Sequence, residues 1–234
     1  MNWNGRFHFG KDWAAYRGAS ADNALHAHVA LQLCMSFDRP VTLTDRSGRA
    51  RHGPALYVRS CIPHRLEPID SVQIILVEPY SVLGRTLLSL LPSDEIGVCP
   101  RDVTSFVDLT APLEKCLRFN GCNARASDEA LDPRLADSLA RLMSTAHAPT
   151  LAALARDVGL SPSRLRHLAM TQLGLPLSKY VLWRKLGLAS RALAAGESVA
   201  EAAVAGGFTD QPHFTKSMRA LIGLTPGAAR KPLS

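Results

Sequence analysis

The chain has 234 residues, of which 47% are hydrophobic and 20% charged, so it can bury a core and disorder is not expected. Its five cysteines are scattered and include no CxxC pair, which excludes a disulfide framework or a zinc-finger pattern as the basis of the fold. The net charge is +7, and all of this excess lies in residues 131–234, which hold 13 Lys and Arg against 6 Asp and Glu.

A charge asymmetry of this kind favours a polyanionic partner, because every neutralised phosphate releases condensed counterions. The chain has no run of roughly 18 apolar residues, so no membrane span is expected. The first residues, Met1–Arg6, are not followed by an apolar stretch and do not read as a secretory signal. We therefore expect a cytoplasmic protein that makes no membrane contact and carries no cofactor.

Residues 1–121 are expected to form a small β-sandwich or barrel with helices. Short β-rich runs separated by Pro, Gly and Asp-rich turns occur at Arg6–Phe9, Val29–Ser36, Val41–Thr44, Ala55–Val58 and Ser71–Val77. Two helices are predicted to follow them, near Ser81–Leu91 and Ala111–Arg118. The polar segment 122–130 is the expected linker to a second domain.

Four polar residues of this first domain form a candidate ligand site. The pattern His26-Ala-His28, then Gln32, and later Pro63-His64, resembles the metal-binding histidine pattern of cupin proteins. The carboxylate of that pattern is missing at Gln32, and amides are poor metal ligands beside carboxylates. Apolar residues with a few polar groups at a barrel mouth are typical of a small-molecule site. We therefore predict an effector pocket lined by His26, His28, Gln32 and His64, without a bound metal.

The second half of the chain contains an internal repeat. Leu151–Leu160 aligns with Val199–Phe208 at an offset of 48, and beyond a one-residue slip Gly174 aligns with Gly223. Each copy predicts a short helix with apolar residues at helical spacing, a glycine turn and a second short helix.

Local signals mark where these helices begin and end. In the first copy Gly159 supplies the left-handed turn residue, and Ser161 with Pro162 are the N-cap and first residue of the second helix. In the second copy Gly206-Gly207 is the turn and Asp210 the cap. The predicted units are 151–174 and 199–223, and their second helices, here called the reading helices, carry polar and basic outer faces. This is the plan of a helix-turn-helix, whose second helix enters the major groove of DNA.

The segment between the two units, residues 176–195, predicts one long helix. Twenty residues at about 1.5 Å each span about 30 Å. Successive major-groove faces of B-DNA are about 34 Å apart. The spacer therefore has the length to hold the two reading helices one duplex turn apart.

Three stretches of this half are recognisable. The first stretch, Gly207–Pro226, lies in the second unit and ends in a G-x-T-P pattern. The second, Gly159–Leu165, lies in the first unit, and the third, Trp183–Leu186, lies on the predicted long helix. Together they resemble the AraC/XylS family of transcriptional regulators. The resemblance implies an α+β protein with a cupin-like sensor or dimerisation domain over 1–121 and an all-α DNA-binding domain over 131–234.

The resemblance also implies the function and its partners. It implies an activator or repressor that is not an enzyme. Its candidate partners are double-stranded DNA, a small-molecule effector, RNA polymerase and a second copy of the chain in a homodimer.

Residue by residue, the resemblance assigns two sets of DNA contacts. Base-edge contacts fall to Ser163, Arg166 and His167 in the first unit and to Gln211, Pro212, Thr215 and Lys216 in the second. Arginine can bond guanine O6 and N7, and glutamine can bond adenine N6 and N7. Phosphate contacts, which position a protein without reading sequence, fall to Arg164, Lys179, Arg184 and Lys185.

Two other classes of function remain open on the sequence. One is a cupin-type metal hydrolase or oxygenase that uses His26, His28 and His64 and carries the helical half as an accessory. The other is a helical protein–protein module, which predicts little salt dependence of any nucleic-acid affinity.

Overall fold

The computed structural model describes residues 3–36, 38–118, 131–145 and 147–233, and the predicted linker 122–130 lies outside them. The chain folds into two compact units, one made of residues 1–127 with 218–234 and the other of residues 128–217. The first is rich in β-strands and the second is helical, so the expected α+β class is confirmed. The domain division at 121 and 131 stays a prediction. Within the ranges just given, no helix combines the length and apolarity needed to cross a bilayer.

The first unit is built on two antiparallel sheets. One has the order β1-β2-β8-β3-β6-β9 and the other the order β5-β4-β7. Among the described residues the strands are β1 Asn4–Phe9, β2 Trp13–Ser20, β3 Leu31–Met35, β4 Val41–Asp45, β5 Ala50–Gly53, β6 Ala55–Val58, β7 His64–Leu66, β8 Ile69–Val77 and β9 Ile96–Val98. The predicted runs correspond to β1, β3, β4, β6 and β8.

Strand β3 separates two apolar clusters because successive side chains point to opposite faces of a sheet. Leu31 and Leu33 pack in one cluster, which is covered by helix α1, Val82–Leu90. Cys34 packs in the other, together with Leu43 of the smaller sheet. The six-stranded sheet thus has a helix-covered face and a face that packs on the second sheet, which is the predicted sandwich.

One predicted helix of this unit is wrong. The segment Ala111–Arg118 contains only a short 3-10 turn, Leu113–Lys115. The Asp108 carboxylate accepts hydrogen bonds from the backbone N–H groups of Thr110 and Ala111 at 2.9 and 3.2 Å, which fixes a turn instead of a helix start. The other predicted helix, Ser81–Leu91, is α1, and a further short helix, α2, covers Arg101–Thr104.

The remaining helices include those of the predicted repeat. They are α3 Pro133–Ser144, α4 Leu151–Asp157, α5 Pro162–Leu173, α6 Leu177–Ala194, α7 Val199–Ala205, α8 Gln211–Ile222 and α9 Pro226–Leu233. Pairs α4–α5 and α7–α8 are the two predicted helix-turn-helix units, and α6 is the long helix expected between them. Helix α3 was not predicted.

The local start and stop signals act as expected. The Ser161 hydroxyl accepts a hydrogen bond from the Arg164 N–H, with Pro162 in the first turn of α5. Gly159 and Gly174 have φ of 66° and 68°, a left-handed conformation that a side chain would strain. Helix α7 begins with a capping box between Ser198 and Glu201. The ends of α5 and the start of α7 are thus marked by local caps and glycine conformations.

Candidate nucleic-acid interface and histidine cluster

The first reading helix, α5, separates its apolar and polar residues cleanly. Leu165 and Leu168 are buried against the rest of the helical unit, whereas Ser163, Arg166 and His167 are exposed. The three residues assigned to base edges therefore lie together on the solvent face of α5.

The second reading helix, α8, is anchored by Phe214. This side chain is fully buried, and its ring lies 5.1 Å from that of Phe208 in the preceding turn. The Asp210 carboxylate caps the helix by accepting a hydrogen bond from the His213 N–H at 2.7 Å. Of the four residues assigned to bases, Thr215 is half-buried. The other three are exposed: Gln211, Pro212 and Lys216.

The reading helices and the spacer α6 carry positive charge alone. None of the three contains Asp or Glu, and their basic residues are Arg164, Arg166, Lys179, Arg184, Lys185, Arg191, Lys216 and Arg219. Clustered positive charge attracts a polyanion and accelerates its association.

The four residues assigned to phosphate differ in their surroundings. Arg164 and Lys179 are exposed. The Arg184 guanidinium instead donates to the Thr145 carbonyl oxygen at 2.8 Å. The Lys185 ammonium donates to the Gly207 carbonyl oxygen at 2.6 Å and lies 6.0 Å from the centre of the Phe208 ring. Arg184 and Lys185 thus fasten α6 to neighbouring loops, a role that the sequence did not reveal.

The four residues of the predicted effector pocket come together in the first unit. His26 and His28 lie in the loop before β3, Gln32 on β3, and His64 at the start of β7. His26 and His64 are bridged by their backbones, each N–H donating to the other's carbonyl oxygen at 3.0 and 2.9 Å. All four side chains are buried, His64 completely.

Each of the three imidazole rings has its Nδ1 atom against a backbone carbonyl oxygen. Their Nδ1 atoms lie 2.9, 3.0 and 2.8 Å from the carbonyl oxygens of Ala24, Ala30 and Ile62, for His26, His28 and His64 respectively. A carbonyl oxygen only accepts, so in His26 and His64 Nδ1 bears the proton and Nε2 keeps the lone pair, whereas both ring nitrogens of His28 face oxygen atoms. One ring nitrogen of each histidine lies within 4.8 Å of the others.

Burial keeps these rings neutral. Burial and, to a smaller extent, the nearby His28 together lower the pKa of His26 to about 3. Burial likewise lowers the pKa of His28 and of His64. Uncharged imidazoles are the form in which histidine offers a lone pair.

Gln32 and Cys34 complete the cluster from β3. The Gln32 side-chain oxygen lies 2.9 Å from His28 Nε2, and its amide nitrogen lies 3.2 Å from Cys34 Sγ. Burial raises the pKa of the Cys34 thiol to about 12, so it is not a thiolate. The sequence interpretation missed Cys34, although its position two residues after Gln32 places both on one face of the strand.

A second neighbour that the sequence did not indicate is Gly223, just after α8. Within the first unit the Ala24 N–H donates to the Gly223 carbonyl oxygen at 3.1 Å. A Cβ atom on Gly223 would lie 2.7 Å from the Ala24 carbonyl oxygen and 2.8 Å from His26 Nδ1, and the residue has a φ of +77°. Only glycine fits there without displacing the histidine loop.

Two helical hairpins whose second helices expose basic side chains define the class of helix-turn-helix proteins. Residues 154–232 match the family model described as a helix-turn-helix domain. The expected resemblance is confirmed over these residues, which carry a helix-turn-helix domain of the AraC type.

Solved structures share the fold of almost the whole chain. Apo ToxT from Vibrio cholerae, solved as a variant, is 12% identical and aligns over 96% of this chain and 99% of its own, with a TM-score of 0.59. Wild-type ToxT from the same species with a bound unsaturated fatty acid is 9% identical over 98% and 97%, with a TM-score of 0.58. A regulator with an AraC-type DNA-binding domain from Chromobacterium violaceum is 28% identical over 44% and 93%, with a TM-score of 0.41. No curated protein matches the sequence significantly.

Proposed function

We propose that this chain is a sequence-specific transcription regulator whose reading helices, α5 and α8, enter adjacent major-groove segments of double-stranded DNA. The observation that carries this proposal is the pair of capped units on either side of α6, whose second helices, α5 and α8, expose basic side chains and contain no acidic residue. At about 1.5 Å per residue, the 18 residues of α6 span about 27 Å. That length is close to the separation of about 34 Å between successive groove faces.

In this proposal each exposed side chain has a stated role. Arg166 bonds a guanine edge and Gln211 an adenine edge, because their donor and acceptor patterns match those bases. Their exposed or half-buried neighbours complete the base contacts: Ser163, His167, Pro212, Thr215 and Lys216. Arg164 and Lys179 bind phosphates directly. Arg184 and Lys185 contribute charge while they hold α6 to the adjacent loops.

We infer further that the first unit is the sensor and that the cluster of His26, His28, Gln32 and His64 is its effector site. The fatty acid bound to ToxT supports a ligand-binding role for a protein of this fold. The proposal assigns no reaction to the chain. Homodimer formation and contact with RNA polymerase stay predictions of the family resemblance.

Selection of duplexes from a randomised pool by the full chain tests this function. We expect a defined sequence to be enriched and Arg166→Ala to relax preference at one base pair, at a cost of about 1–3 kcal/mol. Arg141→Ala is the matched control, because it removes the same charge from α3, where Arg141 pairs with Asp137 at 2.9 Å. No preference over random competitor at moderate ionic strength would contradict the proposal.

A further inference from the structure

We propose that His26, His28 and His64 bind a divalent transition-metal ion, and that this ion is the effector of the regulator. The metal site stands on its own geometry, whereas the effector role rests on the proposed DNA-binding function. The sequence interpretation favoured a pocket without a metal, because Gln32 stands where a carboxylate is expected.

The hydrogen bonds between the Nδ1 atoms and backbone carbonyl oxygens are of the kind that orient histidines as metal ligands. Histidines that ligate metals almost always donate their other ring N–H to a carbonyl or carboxylate, which fixes tautomer and ring orientation. All three Nδ1 atoms here have such a carbonyl partner. His64 Nε2 is buried and has no hydrogen-bond partner among the described residues. A buried lone pair without a donor is costly, and a cation at this position would satisfy it.

The spacing of the nitrogens allows an ion to be held with a small movement of the rings. They lie within 4.8 Å of one another. The centre of an equilateral triangle with that edge is about 2.8 Å from each corner, whereas a zinc–nitrogen bond is about 2.0–2.1 Å. Each ring would move inward by about 0.7 Å at most, pivoting on its Nδ1 hydrogen bond.

The donor set selects the class of metal. Neutral imidazoles suit Zn²⁺, Cu²⁺, Ni²⁺ and Fe²⁺, whereas Mg²⁺ and Ca²⁺ require oxygen ligands, mainly carboxylates. Neither neighbouring side chain is anionic, since Gln32 carries an amide and Cys34 a protonated thiol. Three protein ligands leave a fourth position of a tetrahedral ion for water or another small ligand.

Gln32 competes with the ion for one of its ligands. Its side-chain oxygen lies 2.9 Å from His28 Nε2 and occupies the position in front of that nitrogen. Metal binding requires Gln32 to release this contact. Replacing the amide by a carboxylate would turn a competitor into a fourth ligand.

The cluster adjoins the end of the second reading helix. In the first unit the N–H groups of Ala24 and Ala27 donate to the carbonyl oxygens of Gly223 and Ala220 at 3.1 and 3.4 Å. Gly223 also leaves no room for a Cβ atom beside His26 Nδ1. These contacts join the loop that holds His26 to the last turn of α8, and they are the basis for the effector role.

Metal titration of the full chain tests the site. Chain without a histidine tag, stripped with a chelator, is titrated with Zn²⁺ against a chromophoric competitor. We expect one ion per chain, no binding of Mg²⁺, and at least about a hundred-fold weaker Zn²⁺ binding in His64→Ala. His52→Ala is the matched control, because His52 is exposed and bonds Thr42 outside the cluster. No bound Zn²⁺, or equal affinity in His64→Ala and wild type, would overturn the site.

A second variant keeps the test decisive if His64→Ala does not fold. Gln32→Glu retains the side-chain volume and adds a carboxylate beside His28. We expect at least about ten-fold tighter Zn²⁺ binding than in wild type, because carboxylate oxygens are established zinc ligands. An affinity equal to or below that of wild type would overturn the placement of the ion.

The effector role is tested on the selected duplex. We expect Zn²⁺ to change the affinity of the wild-type chain for this DNA by at least about five-fold, and to leave His64→Ala unchanged. Equal affinity with Zn²⁺ and with chelator would overturn the effector role. Failure to bind any duplex in either state would instead contradict the proposed DNA-binding function, while the titration result would stand.

Discussion

The same glycine-to-alanine change is expected to have opposite effects at two positions of the helical unit. Gly206 ends α7 in a right-handed conformation, with φ −75° and ψ −8°, which alanine adopts freely. A Cβ atom there would lie 2.7 Å from the Lys185 carbonyl oxygen and 2.8 Å from the Ala189 Cβ. Neither of these atoms can rotate away, so Gly206→Ala forces α7 from α6 and should destabilise the chain by about 1–3 kcal/mol.

Gly187 provides the matched control. It lies inside α6, and a Cβ atom there would meet nothing within 4 Å. Alanine in a helix interior is favoured over glycine, so Gly187→Ala should stabilise the chain by about 0.5–1 kcal/mol.

Urea unfolding of the full chain, followed by far-ultraviolet circular dichroism, measures both variants. The unfolding midpoint should fall for Gly206→Ala and rise for Gly187→Ala, with unchanged slopes. A neutral or stabilising Gly206→Ala would refute the close approach of α7 to α6.

Three other outcomes are expected. Ser198→Ala removes the capping box of α7 and should lower the free energy of unfolding by about 1 kcal/mol, measured in the same urea experiment; no change would show that the box is not formed. Gly223→Ala introduces a strained left-handed alanine against Ala24 and His26, and should destabilise the chain by about 1–3 kcal/mol and weaken Zn²⁺ binding; a stable variant with wild-type affinity would contradict the packing described. Raising salt from about 50 to about 200 mM should reduce affinity for the selected duplex by about 10³-fold or more if at least six phosphates are contacted, as a filter-binding series would measure; a flat response would favour a protein–protein module.

The helical half was predictable because the residues at the helix ends determine where each helix begins and stops. Ser161 with Pro162 and the left-handed glycines define helix ends without tertiary information. The same reasoning could have found α3, since the Asp132 side chain accepts from the Arg134 N–H and Pro133 opens the helix. The bonds of Arg184 and Lys185 to backbone carbonyls could not be foreseen, because they join residues distant in sequence.

The β-rich half was predicted less completely because a strand is defined by its pairing with segments that are distant in sequence. Strand β2 was missed because Gly18 and a register irregularity near Ser20 interrupt its alternation. Strand β9 has only three residues and is defined by its partner β6. The Ala111–Arg118 segment has helical composition, yet the Asp108 carboxylate holds its start in a turn.

The histidine cluster was half predictable. The resemblance to the cupin pattern grouped His26, His28, Gln32 and His64, and all four do converge. Sequence could not show that every Nδ1 meets a carbonyl oxygen, because these partners depend on the backbone path of two separate loops. That orientation, and not the identity of the residues, is what favours a metal ion.

Hydroxyl-radical footprinting of the selected duplex by the full chain tests the central claim most directly. The account predicts two protected backbone segments on one face of the duplex, about one helical turn, or 10 base pairs, apart. It also predicts that Arg166→Ala weakens protection in one segment and Gln211→Ala in the other. A single protected segment, or two segments on opposite faces, would contradict a pair of reading helices held apart by α6.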